Sequence, residues 1–146
     1  MALNAQGTTL EISEDGGTTW VPIGCIQTFG IEQPDRAEID VTCLTSSSKE
    51  YKFGLRDSGT VTIEMQYDPE GAGQVILESS YASDTAFDFK IEYNNAPDET
   101  GTGTLKEFKG FVISISESGA VDDVVTESVS IKITGDITIT PPVATP

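Results

Sequence analysis

Histidine is missing from this 146-residue chain, which also has only two cysteines and one tryptophan. Without histidine, neither a Ser-His-Asp nor a Cys-His catalytic arrangement can form, and histidine-rich metal sites are excluded. Paired carboxylates among the 24 acidic residues leave a glycosidase mechanism open by count. However, a single tryptophan and few aromatic residues offer little surface on which a sugar could stack. We therefore expect no enzyme activity, no catalytic residue and no cofactor.

Long apolar runs are also missing, since none approaches the ~20 residues that cross a bilayer. The first six residues, MALNAQ, lack the basic start and apolar stretch of a secretory signal. We therefore expect a protein made and folded in the cytoplasm, without a membrane partner. The length suits one domain, which we place at residues 1–140, followed by a proline-rich tail at residues 141–146.

Basic residues are scarce: eight lysines and arginines face 24 acidic residues, which gives a formal charge of −16. A chain of this charge should not bind duplex DNA by neutralising phosphates, because that mode needs clustered lysine and arginine. Solubility is the simplest explanation of the charge, since a net charge far from zero keeps proteins dispersed.

Neither cysteine has the spacing of a metal ligand. We predict that Cys25 and Cys43 are buried free thiols, because free cysteine behaves as a small hydrophobe. Cys43 shares an alternating face with Ile39 and Val41, which supports burial.

Two acidic pairs, Asp98-Glu99 and Asp122-Asp123, contain the oxygen ligands that calcium prefers. They lack the spaced ligands and the glycine of a calcium-binding loop. We interpret them as solvated turn residues and predict no metal site.

Alternation of apolar and polar residues predicts strands along most of the chain. Thr60–Tyr67 is the clearest, with Val61, Ile63 and Met65 on its buried face. An Asp-Gly turn between Thr8–Ile12 and Thr18–Val21 predicts a hairpin. Further strands are predicted at 27–31, 38–44, 87–93, 109–116 (Phe111, Ile113 and Ile115 inward) and 126–134 (Val129, Ile131 and Ile133 inward).

A single helix is predicted at Gln74–Tyr81, which has the length for two turns. The expected fold class is mainly β: an antiparallel β-sandwich or barrel of about eight strands with one short flanking helix.

The segment from Glu38 to Tyr67 carries a further signal in its order of elements. A strand with Ile39-Asp40-Val41-Thr42 leads to a serine-rich loop, then to Lys49-Glu50-Tyr51, Gly54-Leu55, Asp57-Ser58-Gly59 and a second strand. This segment resembles the phage tail tube proteins of the lambda-like, long flexible-tailed type, whose architecture the type VI secretion tube proteins share. The rest of the chain, from about Leu10 to Ile139, continues the same pattern.

The resemblance implies a structural virion protein that forms rings, usually six-fold, which stack into the tail tube. Such a tube would be an acidic-walled conduit through which double-stranded DNA passes without specific binding. Some lambda-like tube proteins carry a C-terminal immunoglobulin-like domain, which we do not expect here. The implied partners are further copies of the chain, a tape-measure protein, a tail-tip initiator and a tail terminator, with assembly in the host cytoplasm.

The resemblance also assigns positions. The long loop that reaches the neighbouring ring corresponds to Ser46, Ser47, Ser48, Lys49, Glu50, Tyr51, Lys52, Phe53 and Arg56. The N-terminal residues 1–7 are a second candidate for bridging rings. The candidates for the lumen wall are the polar-face carboxylates Glu38, Asp40, Glu64, Asp88 and Glu92.

Two alternatives remain open from the sequence. One is a type VI secretion-like tube, with the same rings and protein cargo. The other is a monomeric carbohydrate-binding β-sandwich, a decoration module that would bind through the hairpin at Thr8–Val21.

Overall fold

The computed structural model describes residues 6–24, 26–97 and 101–144. Within these residues the chain forms nine strands and one helix. In chain order they are β1 (Thr9–Ser13), β2 (Val21–Ile23), β3 (Ile26–Glu32), β4 (Glu38–Asp40), β5 (Tyr51–Phe53), β6 (Thr60–Gln66), α1 (Ala72–Tyr81), β7 (Phe87–Glu92), β8 (Leu105–Ser118) and β9 (Thr126–Thr140).

Seven strands form one antiparallel sheet in the order β2-β1-β7-β8-β9-β6-β3. The sheet curls around its own core, because Phe29 of edge strand β3 contacts Tyr93, which follows β7, with 6.2 Å between ring centroids. Strands β4 and β5 pair only with each other and form a separate two-stranded ribbon. The predicted fold class, mainly β and antiparallel with one short helix, is therefore confirmed.

The core lies on the concave face of the sheet and beneath α1. Val61, Ile63 and Met65 are fully buried, as their alternation in β6 predicts. Leu77 of α1 is buried in the same cluster, and α1 packs on β8, β2 and β1. Gln74 fixes the start of the helix, since its amide donates to the Gln66 carbonyl and accepts from the backbone N–H of Asp68, both at 2.8 Å.

The predicted hairpin, the helix and the inward residues of β9 are confirmed. Strands β1 and β2 pair antiparallel across the turn, and Gly16 and Gly17 there have φ values of 78° and 93°. Such left-handed backbone favours glycine. The helix begins two residues earlier than predicted, and β8 and β9 are longer than the predicted strands.

The predicted inward face of β8 is wrong in part. A bulge lies between Val112 and Ser114, where the register with β9 shifts. As a result Val112 is buried, Ile113 is 53% exposed, and only Ile115 packs against the core as predicted. Phe111 is half-buried and pairs with Lys132 on the solvent side. An inserted residue reverses the facing of everything beyond it, and alternation alone does not reveal this.

The predictions for the 38–44 strand and for Cys43 are also wrong. The strand spans only Glu38–Asp40, and Ile39, Val41 and Cys43 are all exposed. The apolar alternation is present, but no second layer covers this ribbon in the described part of the chain. Cys25 lies outside the described residues, so its predicted burial stays a prediction.

Candidate assembly surfaces

An arm projects from the sheet between β3 and β6; we define it as residues 33–58. Its ribbon pairs Glu38 with Phe53 and Asp40 with Tyr51, and all side chains of β4 and β5 are exposed. The arm contains all nine residues of the predicted inter-ring loop. Eight of them are exposed and Ser46 is half-buried.

Contacts within the arm give it a defined shape. Arg36 donates to the Gly54 carbonyl from Nη2 at 3.1 Å, and its guanidinium lies 4.9 Å from the centroid of the Phe53 ring. Beyond β4, the backbone N–H of Glu50 donates to Thr42 Oγ1 at 2.8 Å. These bonds extend the ribbon toward its tip, so the arm is an ordered hairpin with a short polar loop.

The tip carries the exposed thiol of Cys43. Its sulfur lies 3.2 Å from the hydroxyls of both Ser46 and Thr45. Hydrogen bonding by Ser46, and next by Thr45, lowers the pKa of the Cys43 thiol to about 7. A substantial fraction is therefore thiolate near neutral pH, which makes the tip reactive toward thiol-directed reagents.

Large apolar side chains on the arm face solvent. Leu44 and Leu55 are fully exposed, and Phe53 and Tyr51 are about half exposed. Leu44 lies near the tip of the arm and Leu55 near its base, so exposed apolar groups occur along its whole length and make the arm a candidate interaction surface.

Not every predicted loop residue points away from the sheet. Arg56 lies at the base of the arm, 3.6 Å from the carboxylate of Asp136 in β9. Of the N-terminal candidates, residues 1–5 lie outside the described residues, and the carbonyl of Gln6 accepts a hydrogen bond from Asn94 at 3.1 Å.

The structure divides the five lumen candidates into two groups. Glu38 and Asp40 lie on the arm, whereas Glu64, Asp88 and Glu92 lie on the convex, solvent-facing side of the seven-stranded sheet. Within the second group, β8 and β9 separate Glu64 of β6 from the two acids of β7. The five carboxylates therefore do not form one cluster.

Next to Glu64 the convex face is rich in hydroxyl groups. Two rows of paired residues cross the strands here. In one row Thr62 pairs with Ser130, which pairs with Ser114. In the neighbouring row Thr28 pairs with Glu64, followed across the sheet by Ser128 and Ser116. We call the six hydroxyl residues in these two rows the hydroxyl face. The β8 bulge keeps Ser114 and Ser116 on this side. This surface is not among the sequence predictions, although the Ser/Thr alternation in β6, β8 and β9 signals it.

None of the helices among the described residues is long and apolar enough to cross a membrane.

A curled sheet with two open edges and a projecting, partly apolar arm defines a structural β-protein suited to assembly. The family model for lambda-like phage tail tube proteins matches residues 1–143, and the chain therefore belongs to that family. It is a tail tube component of the virion and not an enzyme. This membership agrees with the resemblance in the Glu38–Tyr67 segment and decides against the carbohydrate-binding alternative.

Individual proteins that are similar to this chain in sequence or structure agree with this family assignment. Structural protein 3 of Pseudomonas phage PAJU2 is 24% identical over 95% of this chain and 94% of its own. Among solved structures, the SPP1 tail tube protein has a TM-score of 0.77 at 15% identity, covering 96% of this chain and 80% of its own. A chain from the tail of an empty gene transfer agent particle, refined with C6 symmetry, has a TM-score of 0.69 at 13% identity, covering 95% and 99%.

A type six secretion system protein has the same fold at a TM-score of 0.54 and 16% identity, covering 97% of this chain and 93% of its own. The fold is thus shared by phage tail tube proteins and a type six secretion system protein.

Proposed function

We propose that this protein assembles into hexameric rings that stack into a phage tail tube, and that the arm joins consecutive rings. The observation that carries the proposal is the arm itself, an ordered hairpin with Leu44 and Leu55 fully exposed, whose strands pair with no other strand in the described part of the chain. Contact with a neighbouring subunit would bury these side chains, which is worth about 1.5–3 kcal/mol for each leucine.

The ring would close through the sheet edges. Strands β2 and β3 are the two edges of the seven-stranded sheet, and unpaired edges are templates for pairing with another chain. Head-to-tail contacts that close on themselves produce a ring. Six-fold closure is supported by the C6 symmetry of the gene transfer agent tail.

The convex face would line the lumen. It carries Glu64, Asp88 and Glu92 together with the hydroxyl face, and six subunits would bring a total charge of about −96, six times −16. Double-stranded DNA has one negative charge per ~1.7 Å, so an acidic and hydroxylated wall would repel it weakly and let it slide. Glu38 and Asp40, on the arm, would lie at the contact between rings instead.

In this scheme the chain assembles in the host cytoplasm on a tail-tip initiator, around a tape-measure protein, until a terminator caps the tube. A secretion-like tube for protein cargo is the remaining alternative. Family membership favours the phage tube, and the cargo would distinguish the two.

Electron microscopy of the purified protein over a concentration and salt series tests the proposal. We expect hollow tubes, whose helical reconstruction shows six subunits per ring. The double variant Leu44→Asp/Leu55→Asp should fold, by circular dichroism, yet form no tubes. Val121→Asp is the matched control, because Val121 is also an exposed apolar residue but lies outside the arm, in the β8–β9 turn. A ring number other than six, or equal loss of tubes in both variants, would contradict the proposal.

A further inference from the structure

Three glutamates from distant parts of the sequence meet at one end of the molecule. Glu78 lies on α1, Glu117 near the end of β8 and Glu127 near the start of β9. One carboxylate oxygen of each lies within 4.8 Å of the other two. No ion pair in the described part of the chain involves any of the three.

Glu127 is the residue that makes this cluster unusual. It is only 1% exposed, and neither carboxylate oxygen has a hydrogen-bond partner among the described residues. Removing a carboxylate from water without a partner costs several kcal/mol. The arrangement is therefore unfavourable unless a cation or a proton compensates the charge.

The neighbouring strand increases the free-energy cost of burying the charged Glu127 carboxylate. Glu117 is the direct cross-strand partner of Glu127 in the β8–β9 pairing. Like charges directly opposite each other destabilise a sheet. Glu78 approaches from the helix packed on the same side, so three elements direct carboxylates at one point.

We propose that Glu78, Glu117 and Glu127 bind a hard divalent cation, with Ca²⁺ as the best fit. Calcium takes 6–8 oxygen ligands at about 2.3–2.6 Å, so two ligands on opposite sides of the ion lie about 4.6–5.2 Å apart. The oxygens of this cluster all lie within 4.8 Å of one another, a separation that one Ca²⁺ ion can span. Ligands made only of carboxylate oxygen disfavour zinc and copper, which prefer nitrogen and sulfur.

The cluster is open to solvent on one side, since Glu78 and Glu117 are exposed. Water would complete the coordination there. Glu127 would supply the buried, fixed side of the site, and the ion would hold α1 against the turn end of the β8–β9 hairpin. The site is separate from the arm and does not depend on assembly, so it is tested on the unassembled chain.

Terbium luminescence provides the experiment, because Tb³⁺ replaces Ca²⁺ and is sensitised by a nearby tyrosine. Tyr67 is that tyrosine: its backbone N–H donates to the Val125 carbonyl at 2.8 Å, two residues before Glu127 in the chain. Desolvation, and then the charges of Glu78 and Glu117, raise its pKa, which agrees with this position. We expect saturable Tb³⁺ emission that Ca²⁺ displaces at lower concentration than Mg²⁺. Tyr67→Phe should lower the emission while the rise in melting temperature on adding Ca²⁺ persists.

Glu127→Gln should weaken Tb³⁺ binding by roughly tenfold or more, because the number of charged ligands sets the affinity. Glu70→Gln is the matched control, since Glu70 is an exposed glutamate outside the cluster. Glu78→Gln, at an exposed helix position, repeats the test if Glu127→Gln does not fold. The proposal fails if wild-type protein shows no saturable binding, or if the cluster variants and Glu70→Gln weaken binding equally, which would mean diffuse attraction to an acidic surface.

Discussion

The ammonium group of Lys132 lies 2.8 and 2.9 Å from the two carboxylate oxygens of Asp57, which joins the base of the arm to strand β9. Asp57 also accepts from the backbone N–H of Gly59 at 2.8 Å, where β6 begins. Hydrogen bonding by Lys132, and then by Gly59, lowers the pKa of the Asp57 carboxyl. These bonds tie the base of the arm to β9 and to the start of β6, and we expect them to set the direction in which the arm leaves the sheet.

Asp57→Asn tests that role. The variant loses the charge that holds Lys132, so we expect a small change in unfolding midpoint and a clear loss of tube growth in electron micrographs. Asp136→Asn is the control, because its ion pair with Arg56 is longer, at 3.6 Å, and more exposed. Equal tube growth in Asp57→Asn and wild type would contradict an orienting role.

Reversing Lys49 and Lys52 to glutamate should leave the subunit folded and impair tube growth. Both lysines are exposed on the arm, where we expect them to meet acidic groups of the next ring. Growth can be followed by light scattering and folding by circular dichroism. Lys109→Glu, an exposed lysine of β8 on the convex face, is the matched reversal and should permit growth. Unchanged growth of the double variant would remove these lysines from the contact.

Higher salt should favour polymerisation. Each subunit carries −16, and mobile ions screen exposed charges beyond ~8 to 10 Å at physiological ionic strength. The critical concentration, measured by sedimentation, should therefore fall as NaCl rises. Tubes that form only at low salt would argue that attraction between opposite charges dominates assembly.

Stability should fall with rising pH because of Glu127. Burial, and then the charges of Glu78 and Glu117, raise the pKa of its carboxyl from 4.5 to about 7. The folded state thus binds the proton more tightly than the unfolded chain does, and it is stabilised below pH 4.5. This stabilisation is lost as pH rises through the window from 4.5 to about 7.

Urea unfolding in the presence of a chelator measures this effect. Glu127→Gln should show a flatter pH dependence across that window and should be more stable than wild type at pH values above it. Glu70→Gln should follow the wild-type curve. A wild-type slope retained in Glu127→Gln would assign the pH dependence to another group.

Gly73→Ala should destabilise the fold by about 1–3 kcal/mol, the usual cost of overpacking. Alanine favours helices by about 1 kcal/mol over glycine, so propensity alone predicts the opposite sign. A Cβ on Gly73 would lie 2.4 Å from the Pro22 carbonyl oxygen, where α1 meets β2. Gly30→Ala, with open space around its Cβ, should have a much smaller effect in chemical denaturation.

The sequence was most informative where a strand has one buried and one solvent-exposed face. In β6 and β9 the alternation predicted Val61, Ile63, Val129 and Ile131 as core, and all four are fully buried. The alternation wrongly predicted that Ile113 is buried, because a β-bulge cannot be recognised from residue types alone. It also failed at Cys43, where an apolar alternation belongs to an arm with no layer over it.

The candidate surfaces, like the strands, could be predicted only in part from the sequence. The order of elements between Glu38 and Tyr67 located the arm, but which polar face is convex depends on the curl of the sheet. The Glu78, Glu117 and Glu127 cluster was beyond prediction, since it requires the β8–β9 register and the docking of α1.

The contact of Phe29 with Tyr93 has a consequence for the timing of assembly. It closes the core within a single chain, so we expect a subunit to finish folding before it meets another. Growth of a tube would then add fully folded subunits. A substitution in the core would change the concentration of folded subunits without altering the contacts between them. Defects in yield and defects in tube length should therefore map to separate groups of residues.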